Sequence, residues 1–480
     1  MEQLNYFEKF FYPKTIAFIG ASKKREWQLR GLIDRGFTGK LYFVSKGSEK
    51  IFDIDCFKDV SELPDNIDHT IIAVNRFQLV SVIKKCISKK FATIHIFSAG
   101  TGEFDEEGKQ IEDEIYHLLK NSSTRAIGPN CMGLYSTRGR FSFNSSFKKD
   151  PVGNVAFISQ SGDLTERFVG SLNYLGVNFS WAASIGNSIS VNVTDLIQYF
   201  NEDDNTEIMG IYLEGFSRYD NKEGRRLYKE LKKTKKPIIF LRSGKTGAGK
   251  RSVESHTGSL TTSNQIWDAV FHQTSSINVR SFEELTDSTL AFYYYKDMLP
   301  REKGILLMTW SGGNATIATD LITQFGASIP EFSTVTKAKL KKLIRFGGVV
   351  NPLDLPWKNF SDEYSNIAKI AIEEPYIGGI LAETYQPWDK NTLENYFENL
   401  LFLKNLCQEQ KKPFFLSLPF ADYQGREKFR KKIIEMGVPI FPSFERAAKA
   451  FLNLYNYGEK LNREDHNEIK QKILNKTKTH

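Results

Sequence analysis

TIAFIGAS, Thr15 to Ser22, is the stretch from which the fold is read. Its first five residues are apolar or β-branched and predict a strand buried on both faces. Gly20, Ala21 and Ser22 then predict a tight turn into a helix. LYFV (Leu41–Val44), HTIIAV (His69–Val74) and TIHIFSAG (Thr93–Gly100) read as further strands. Between them, segments such as FQLVSVIKKCISKKF show helical periodicity. Strand alternating with helix predicts a parallel, doubly wound sheet of the Rossmann type. A short amphipathic helix ended by Pro13 should precede it, and AIGPNCMGLY (Ala126–Tyr135) should close this first domain.

The same rhythm starts again at NVAFISQSGDL (Asn154–Leu164). WAASIGN (Trp181–Asn187), IMGIYLEGF (Ile208–Phe216) and PIIFL (Pro237–Leu241) continue it. After the last of these comes SGKTGAGKRSVESHTGSL (Ser243–Leu260), read as a long mobile loop carrying one histidine, His256. SNQIWDAVFHQ reads as a helix with Ser263 as its N-cap. SFEELTDSTLAFYY (Ser281–Tyr294) is expected as a helix near the exit of this second domain. A third unit opens at GILLMTWSGGNATIATDLI (Gly304–Ile322), where Ser311-Gly312 matches Ser161-Gly162. YIGGILAET, KPFFLSL and GVPIF add strands, and ERAAKAFLNLYNYG a helix. Beyond Lys460 the polar, lysine-rich chain is expected to be exposed and frayed.

A length of 480 residues suits about three domains. The net charge of +8 is mild and spread along the chain, which suits an anionic substrate and gives no basic block for nucleic acid. Cys56, Cys86, Cys131 and Cys407 have no metal-like spacing and read as free thiols. The N-terminal residues do not read as a signal peptide, and no apolar run is long enough to span a bilayer. A cytoplasmic location is expected.

Several turns carry candidate chemistry, each beside a plainer reading. Gly20-Ala21-Ser22 follows a strand as a phosphate-cradling turn would, with backbone N–H groups approaching the phosphate. The full dinucleotide fingerprint is absent, and Lys46 stands where an NAD site wants an acid. That lysine suits an extra ribose phosphate, as in coenzyme A or NADP; the alternative is a plain strand–helix turn. GPNCMG (Gly128–Gly133) reads on composition as a structural turn. SQSG (Ser159–Gly162) and SIGN (Ser184–Asn187) end buried strands, where ligands bind parallel sheets. Glu214 ends another, either as a solvated edge residue or as the partner of one ring nitrogen of His256. Lys245, Lys250 and Arg251 either screen phosphate or keep the loop soluble.

These motifs, in this order, resemble the α subunit of NDP-forming acyl-CoA synthetases, relatives of succinyl-CoA synthetase. IAFIGAS, FSAGTGEFDEEG, IGPNCMGLY, AFISQSG, SIGN, IYLEGF, KPIIFLRSGKTGAG, ESHTGSL, SGG and VNPLDL carry the likeness, from about residue 5 to about 457. The resemblance implies an α/β fold: a Rossmann-like CoA-binding domain (1–148), a flavodoxin-like ligase domain (149–298), a second flavodoxin-like domain (299–460) and a polar tail (461–480). It implies His256 as a phosphorylated histidine and Glu214 as its stabilising carboxylate. Coenzyme A would lie near Gly20, Ala21, Ser22, Lys46, Ser98, Ala99, Gly100 and Asn130. Phosphate would lie near Ser161, Gly162, Gly186, Asn187, Ser255, Thr257 and Gly258.

The implied activity interconverts acyl-CoA, phosphate and ADP with carboxylic acid, CoA and ATP. No ATP-grasp domain is visible, so ADP/ATP with Mg2+ is expected on a separate ATP-grasp β subunit in a hetero-oligomer. No metal ligand, nucleic-acid partner or membrane contact is expected on this chain. Asp163, Thr165, Glu166 and Arg167 stand where the family is small and apolar near the acyl pocket, which suggests an acid that is polar or carries a second carboxylate. The stretch KKREWQLRG, with Trp27, departs from the family's glycines beside CoA; Thr261-Thr262 and Trp310 are further departures. A CoA-binding scaffold without turnover, and an NADP-dependent oxidoreductase, are the competing readings.

Overall fold

The computed structural model describes residues 5–147, 151–257, 262–344, 348–356, 360–387, 390–419 and 426–477. At 5, 254–257, 390 and 464–477 it describes the backbone alone. The chain forms two compact units, Met1–Arg280 and Ser281–His480.

The first unit begins α1 (Asn5–Phe11), β1 (Thr15–Ile19), α2 (Glu26–Ile33), β2 (Lys40–Val44), β3 (Lys50–Ile51) and β4 (Ile54–Phe57). It continues β5 (His69–Ile72), α3 (Leu79–Ser88), β6 (Thr93–Ile96), α4 (Glu106–Lys120) and β7 (Arg125–Ile127). Their sheet has the order β3-β4-β2-β1-β5-β6-β7, parallel except for the β3–β4 hairpin. That hairpin escapes a sequence reading because its turn is Phe52-Asp53, both at positive φ, without the usual Asn-Gly signal. The chain leaves β1 towards β2 on one side and returns to β5 on the other, which opens a crevice at the carboxyl end of β1.

Next come β8 (Gly133–Ser136), β9 (Phe141–Ser142), β10 (Val155–Ser159), α5 (Gly162–Tyr174), β11 (Phe179–Ser184) and α6 (Val193–Glu202). β12 (Ile208–Leu213), α7 (Glu223–Lys233), β13 (Ile238–Arg242), α8 (Gly247–Thr257), α9 (Asn264–Gln273) and β14 (Ile277–Val279) complete the unit. The second sheet runs β14-β13-β12-β10-β11-β8-β9. β8, at the end of the stretch expected to close the first domain, and β9 after it lie antiparallel on its edge. One apolar core serves both sheets. Phe7 and Phe11 of α1 pack their rings, tilted, against Tyr199 and Trp181 of the second sheet's layer, with centroids at 4.8 and 4.6 Å. An amphipathic helix of three phenylalanines therefore joins what the alternating pattern reads as separate domains.

The loop expected from Ser243 to Leu260 is in large part helix. Thr246 starts α8: its hydroxyl accepts from the Gly249 N–H at 3.0 Å, and its carbonyl from Lys250 at 2.8 Å. Capping by threonine outweighs the helix cost of Gly247 and Gly249. Ser263 caps α9 as expected, accepting from the Ile266 N–H at 3.4 Å.

The second unit contains α10 (Phe282–Tyr295), β15 (Gly304–Thr309), α11 (Gly312–Gln324), α12 (Thr334–Leu340), β16 (Leu353–Asp354) and α13 (Asp362–Ala371). β17 (Ile377–Glu383), α14 (Lys390–Glu409), β18 (Phe414–Ser417), α15 (Glu427–Glu435), β19 (Ile440–Phe441) and α16 (Phe444–Thr477) follow. Its parallel sheet is β16-β15-β17-β18-β19. Asn351 of the VNPLDL motif braces β15, donating to the Ile305 carbonyl at 2.8 Å and accepting from the Leu307 N–H at 3.1 Å. α10, expected at the exit of the second domain, belongs to this unit. The tail expected to fray is helical through Thr477, because no Gly or Pro follows Gly458 to stop α16.

Candidate active site

The crevice at the end of β1 is a cavity of about 720 Å3. Gly20, Ala21, Ser22 and Lys46 line it, as do Lys23, Lys24, Arg25, Lys58 and Lys85, which the sequence reading left out. Asp59 is the one acid in the lining; hydrogen bonds from Lys85 hold its carboxyl far below the usual range. Gly20 has φ +89°, and a Cβ there would sit 2.3 Å from the Ala73 carbonyl oxygen. One expectation fails here. The Gly20 and Ala21 N–H groups both donate to the Val44 carbonyl, at 3.1 and 3.0 Å, and do not face a ligand. Ser22 caps no backbone group with its side chain, so its hydroxyl joins the cations among the groups the crevice offers. A concave, basic, partly apolar site of this kind fits the phosphate-rich nucleotide end of coenzyme A.

Ser98, Ala99, Gly100 and Asn130 lie beyond that cavity's lining, where four loops meet. The Asn130 N–H donates to the Ser98 carbonyl at 3.0 Å, and the Ser98 hydroxyl donates to the Val74 carbonyl at 2.5 Å. GPNCMG then touches both strand-end turns of the second sheet. Its Met132 N–H donates to the Ser184 hydroxyl at 3.1 Å, and the Asn187 N–H donates to the Pro129 carbonyl at 3.0 Å. A Cβ on Gly162 would lie 2.1 Å from Met132 Cγ, so only glycine lets that loop pass. Cys131 is buried, and burial pushes its thiol well above the usual value, in keeping with a turn residue and not a nucleophile.

Ser161 caps α5, its hydroxyl accepting from the Leu164 N–H at 3.4 Å. Gly186 follows β11 at φ +53°, beside Asn187. The Asn187 amide is committed elsewhere. It donates to Glu103 and Glu112, both at 2.7 Å, and lies 3.3 Å from the Thr101 hydroxyl. Burial disfavours the charge on Glu103, but donors from Asn187, Gly100 and Thr101 outweigh it and hold the carboxyl below its ordinary range. Glu112, 2 % exposed, also accepts from Arg218 at 2.7 Å. This latch ties the loop after β6 to the loops after β11 and β12. Glu103 sits in the GTGEFDEEG motif, which was its only sequence signal.

Glu214 is buried just past β12. Gln160 pins its main chain, Oε1 accepting from the Glu214 and Gly215 N–H groups at 2.6 and 3.1 Å. One carboxylate oxygen accepts from the Tyr212 hydroxyl at 3.1 Å. Burial, then the Glu214 charge, pushes that phenol up to about 12, so it stays a donor at neutral pH. Arg242, brought down to about 10 by burial, lies in the same small recess against Trp267. His256 falls on the backbone of α8; its side chain, those of Ser255 and Thr257, and the whole of Gly258 lie outside the described residues. Lys245 donates to the Val279 carbonyl at 3.2 Å. On α5, Arg167 pairs with Asp163 at 2.8 Å on an exposed face, and Glu166 accepts from Asn144 at 3.0 Å.

Glu223 has the wrong environment for a charge. It accepts from the Ser217 N–H at 2.7 Å, but burial raises its pKa from 4.5 to about 8. Below about pH 4.5 the group is protonated folded or unfolded. From there to about pH 8 only the folded state keeps the proton, so stability falls as pH rises and the loss is complete above that window. Glu223→Gln keeps the acceptor and removes the titration. The variant should gain roughly 1–3 kcal/mol over wild type above about pH 8, with little difference near pH 5. Thermal denaturation at both pH values checks this; equal shifts at both would contradict it.

Residues 14–137 match the CoA binding domain family, and 152–292 match the succinyl-CoA ligase like flavodoxin domain. A Pyrococcus furiosus acetate–CoA ligase (ADP-forming) II subunit alpha is 30% identical over 92% of this chain and 95% of its own. A Methanocaldococcus jannaschii acetate–CoA ligase (ADP-forming) is 31% identical over 96% of this chain. The chain spans 65%, 64% and 54% of the length of three curated relatives, the M. jannaschii protein among them. The acetyl-coenzyme A synthetase 1 of Candidatus Korarchaeum cryptofilum, solved with phosphate and ADP, superposes with a TM-score of 0.80. It is 26% identical over 95% of this chain and 97% of that one. A CoA-binding sheet joined to a succinyl-CoA-ligase-like sheet through one core defines the class, the CoA ligases of the succinyl-CoA ligase type. Within it, the chain belongs to the family of ADP-forming acetate–CoA ligase α subunits. Among the described residues no helix is long and apolar enough to cross a membrane.

Proposed function

We propose that this chain is the α subunit of an ADP-forming acyl-CoA ligase that moves a phosphoryl group by way of His256. The supporting observation is the junction in the first compact unit. A basic crevice at the end of β1 leads, through the loops Ser98–Gly100 and Gly128–Gly133, to the Ser161–Gly162 turn and the loops after β11 and β12. Coenzyme A would be held by Ser22, Lys46 and the added cations, with its thiol end towards those loops. Phosphate would meet the N-terminus of α5. Phosphate attacks the acyl-CoA thioester, the C–S bond breaks, and the products are acyl phosphate and free thiol. The imidazole of His256 then takes the phosphoryl group and releases the carboxylate. Glu214 holds the imidazole tautomer and balances its charge. Transfer to ADP with Mg2+ takes place on an ATP-grasp partner.

The test is to incubate the chain with acetyl-CoA and radiolabelled phosphate, without nucleotide. Acid-labile, base-stable label is expected, and none on His256→Asn. Absence of label with every short acyl-CoA tried, while CoA still binds, sinks the ligase reading and favours a scaffold. Adding ADP and an ATP-grasp chain should discharge the label into ATP.

A further inference from the structure

We propose that the first compact unit carries a second ligand site, a pocket for a small anion bearing phosphate or carboxylate groups, apart from the β1 crevice. The pocket measures about 330 Å3, at the small end of ligand sites. Tyr6 of α1, Lys120 at the end of α4, Arg125 at the start of β7, Ser190 before α6 and the segment after β12 wall it. Arg125 opens a strand of the parallel β1-β5-β6-β7 run, so the pocket lies at the amino edge of that sheet. The crevice lies at its carboxyl edge.

The charge of the lining is what selects an anion. Asp195 and Asp220 are both held by Arg226, at 2.6 and 2.5 Å. Lys120 and Arg125 add two further cations, and neither forms a salt bridge to a carboxylate among the described residues. Arg125 uses one nitrogen on the Ser122 and Thr124 carbonyls, at 2.9 and 3.1 Å. The Tyr6 hydroxyl, kept protonated by burial, makes no hydrogen bond among the described residues. Ser190 accepts from the Ala126 N–H at 3.3 Å, and its own proton remains to be donated. With Arg226 pairing both acids, the lining holds three cations against two carboxylates, a net charge of +1, and two hydroxyl donors beside them. That combination favours a bound anion.

Position gives the pocket a use. Ser217, Tyr219 and Asp220 form part of its wall and follow Glu214 on one short segment. Arg218, between them, holds Glu112 of the latch to Asn187. An anion seated here would fix the segment that follows Glu214, which makes the pocket an effector site. The binding claim rests on geometry alone; only the effector role rests on the proposed function.

The experiment is calorimetry on the full chain with inorganic phosphate, AMP and citrate, at ionic strength held constant with chloride. At least one probe should bind saturably, and Lys120→Gln/Arg125→Gln should weaken it at least tenfold without changing CoA affinity. Phosphate or AMP alone would assign a phosphate ligand, and citrate alone a polycarboxylate. Lys120→Gln by itself, an exposed change that spares the fold, should weaken the same probe about threefold. If no probe's affinity depends on these two residues, the pocket is overturned. CoA that fails to bind would count against the proposed function and not against this site.

Discussion

Glu214→Gln is expected to slow phosphoryl transfer from acetyl-CoA and phosphate to His256 by roughly 10²–10⁴-fold. The substitution keeps size and shape and removes only the charge. Two independent contacts set the position of residue 214: the grip of Gln160 on its main chain, and the Tyr212 hydroxyl on its carboxylate. Both survive in the variant, since a glutamine oxygen still accepts from Tyr212. Circular dichroism and CoA affinity should therefore match wild type, and the loss should fall in the rate of labelling. Gln160→Ala makes the complementary case. There the charge stays but the grip is lost, and a smaller loss, about tenfold, is expected. Because Gln160 stands on the turn that carries Ser161 and Gly162, the pair also tests whether that turn and Glu214 act as one assembly. Unchanged labelling in Glu214→Gln would remove the carboxylate from the proposed site.

The second large effect concerns stability. Arg446→Met should destabilise the second compact unit by roughly 3–5 kcal/mol. Asp287 of α10 is 4 % exposed, and Arg446 of α16 grips both its oxygens at 2.6 and 2.8 Å. Burial already pushes the Asp287 pKa up, and the guanidinium opposes that push. Removing the arginine leaves a carboxyl in an apolar contact between two helices with no cation to balance it. Removing the aspartate as well, in Arg446→Met/Asp287→Leu, should restore more than half of the loss, because no lone charge then remains buried. Chemical denaturation followed by tryptophan fluorescence gives both numbers. Additive losses in the double variant would show that the pair is not the source.

The chemical character of the chain was legible wherever it depends on near neighbours in sequence. The buried strands TIAFI, VAFIS, IIFL and GILLMT stand where an apolar run of about five residues predicts them. The Ser161, Ser263 and Ser311 caps form as their residue types require. Local rules missed where one local signal overrode another. Thr246 starts a helix through glycines, and two residues at positive φ make a hairpin without a glycine. The tail is helical where its polarity predicts fraying, because its residues are good helix formers.

By itself the sequence determined the α/β class, the strand-end turns and the family motifs around His256, since each is a property of a few consecutive residues. Only the tertiary structure decided how they combine. The three phenylalanines of α1 fuse two sheets into one core. The Gly20 turn spends its N–H groups on β2 and leaves binding to lysines drawn from four separate segments. Asn187, read as a phosphate ligand, is turned towards Glu103 and Glu112. Each of these outcomes depends on hydrogen bonds and contacts between residues far apart in the chain. No local pattern encodes them, because their energies arise only when the sheets have been brought together.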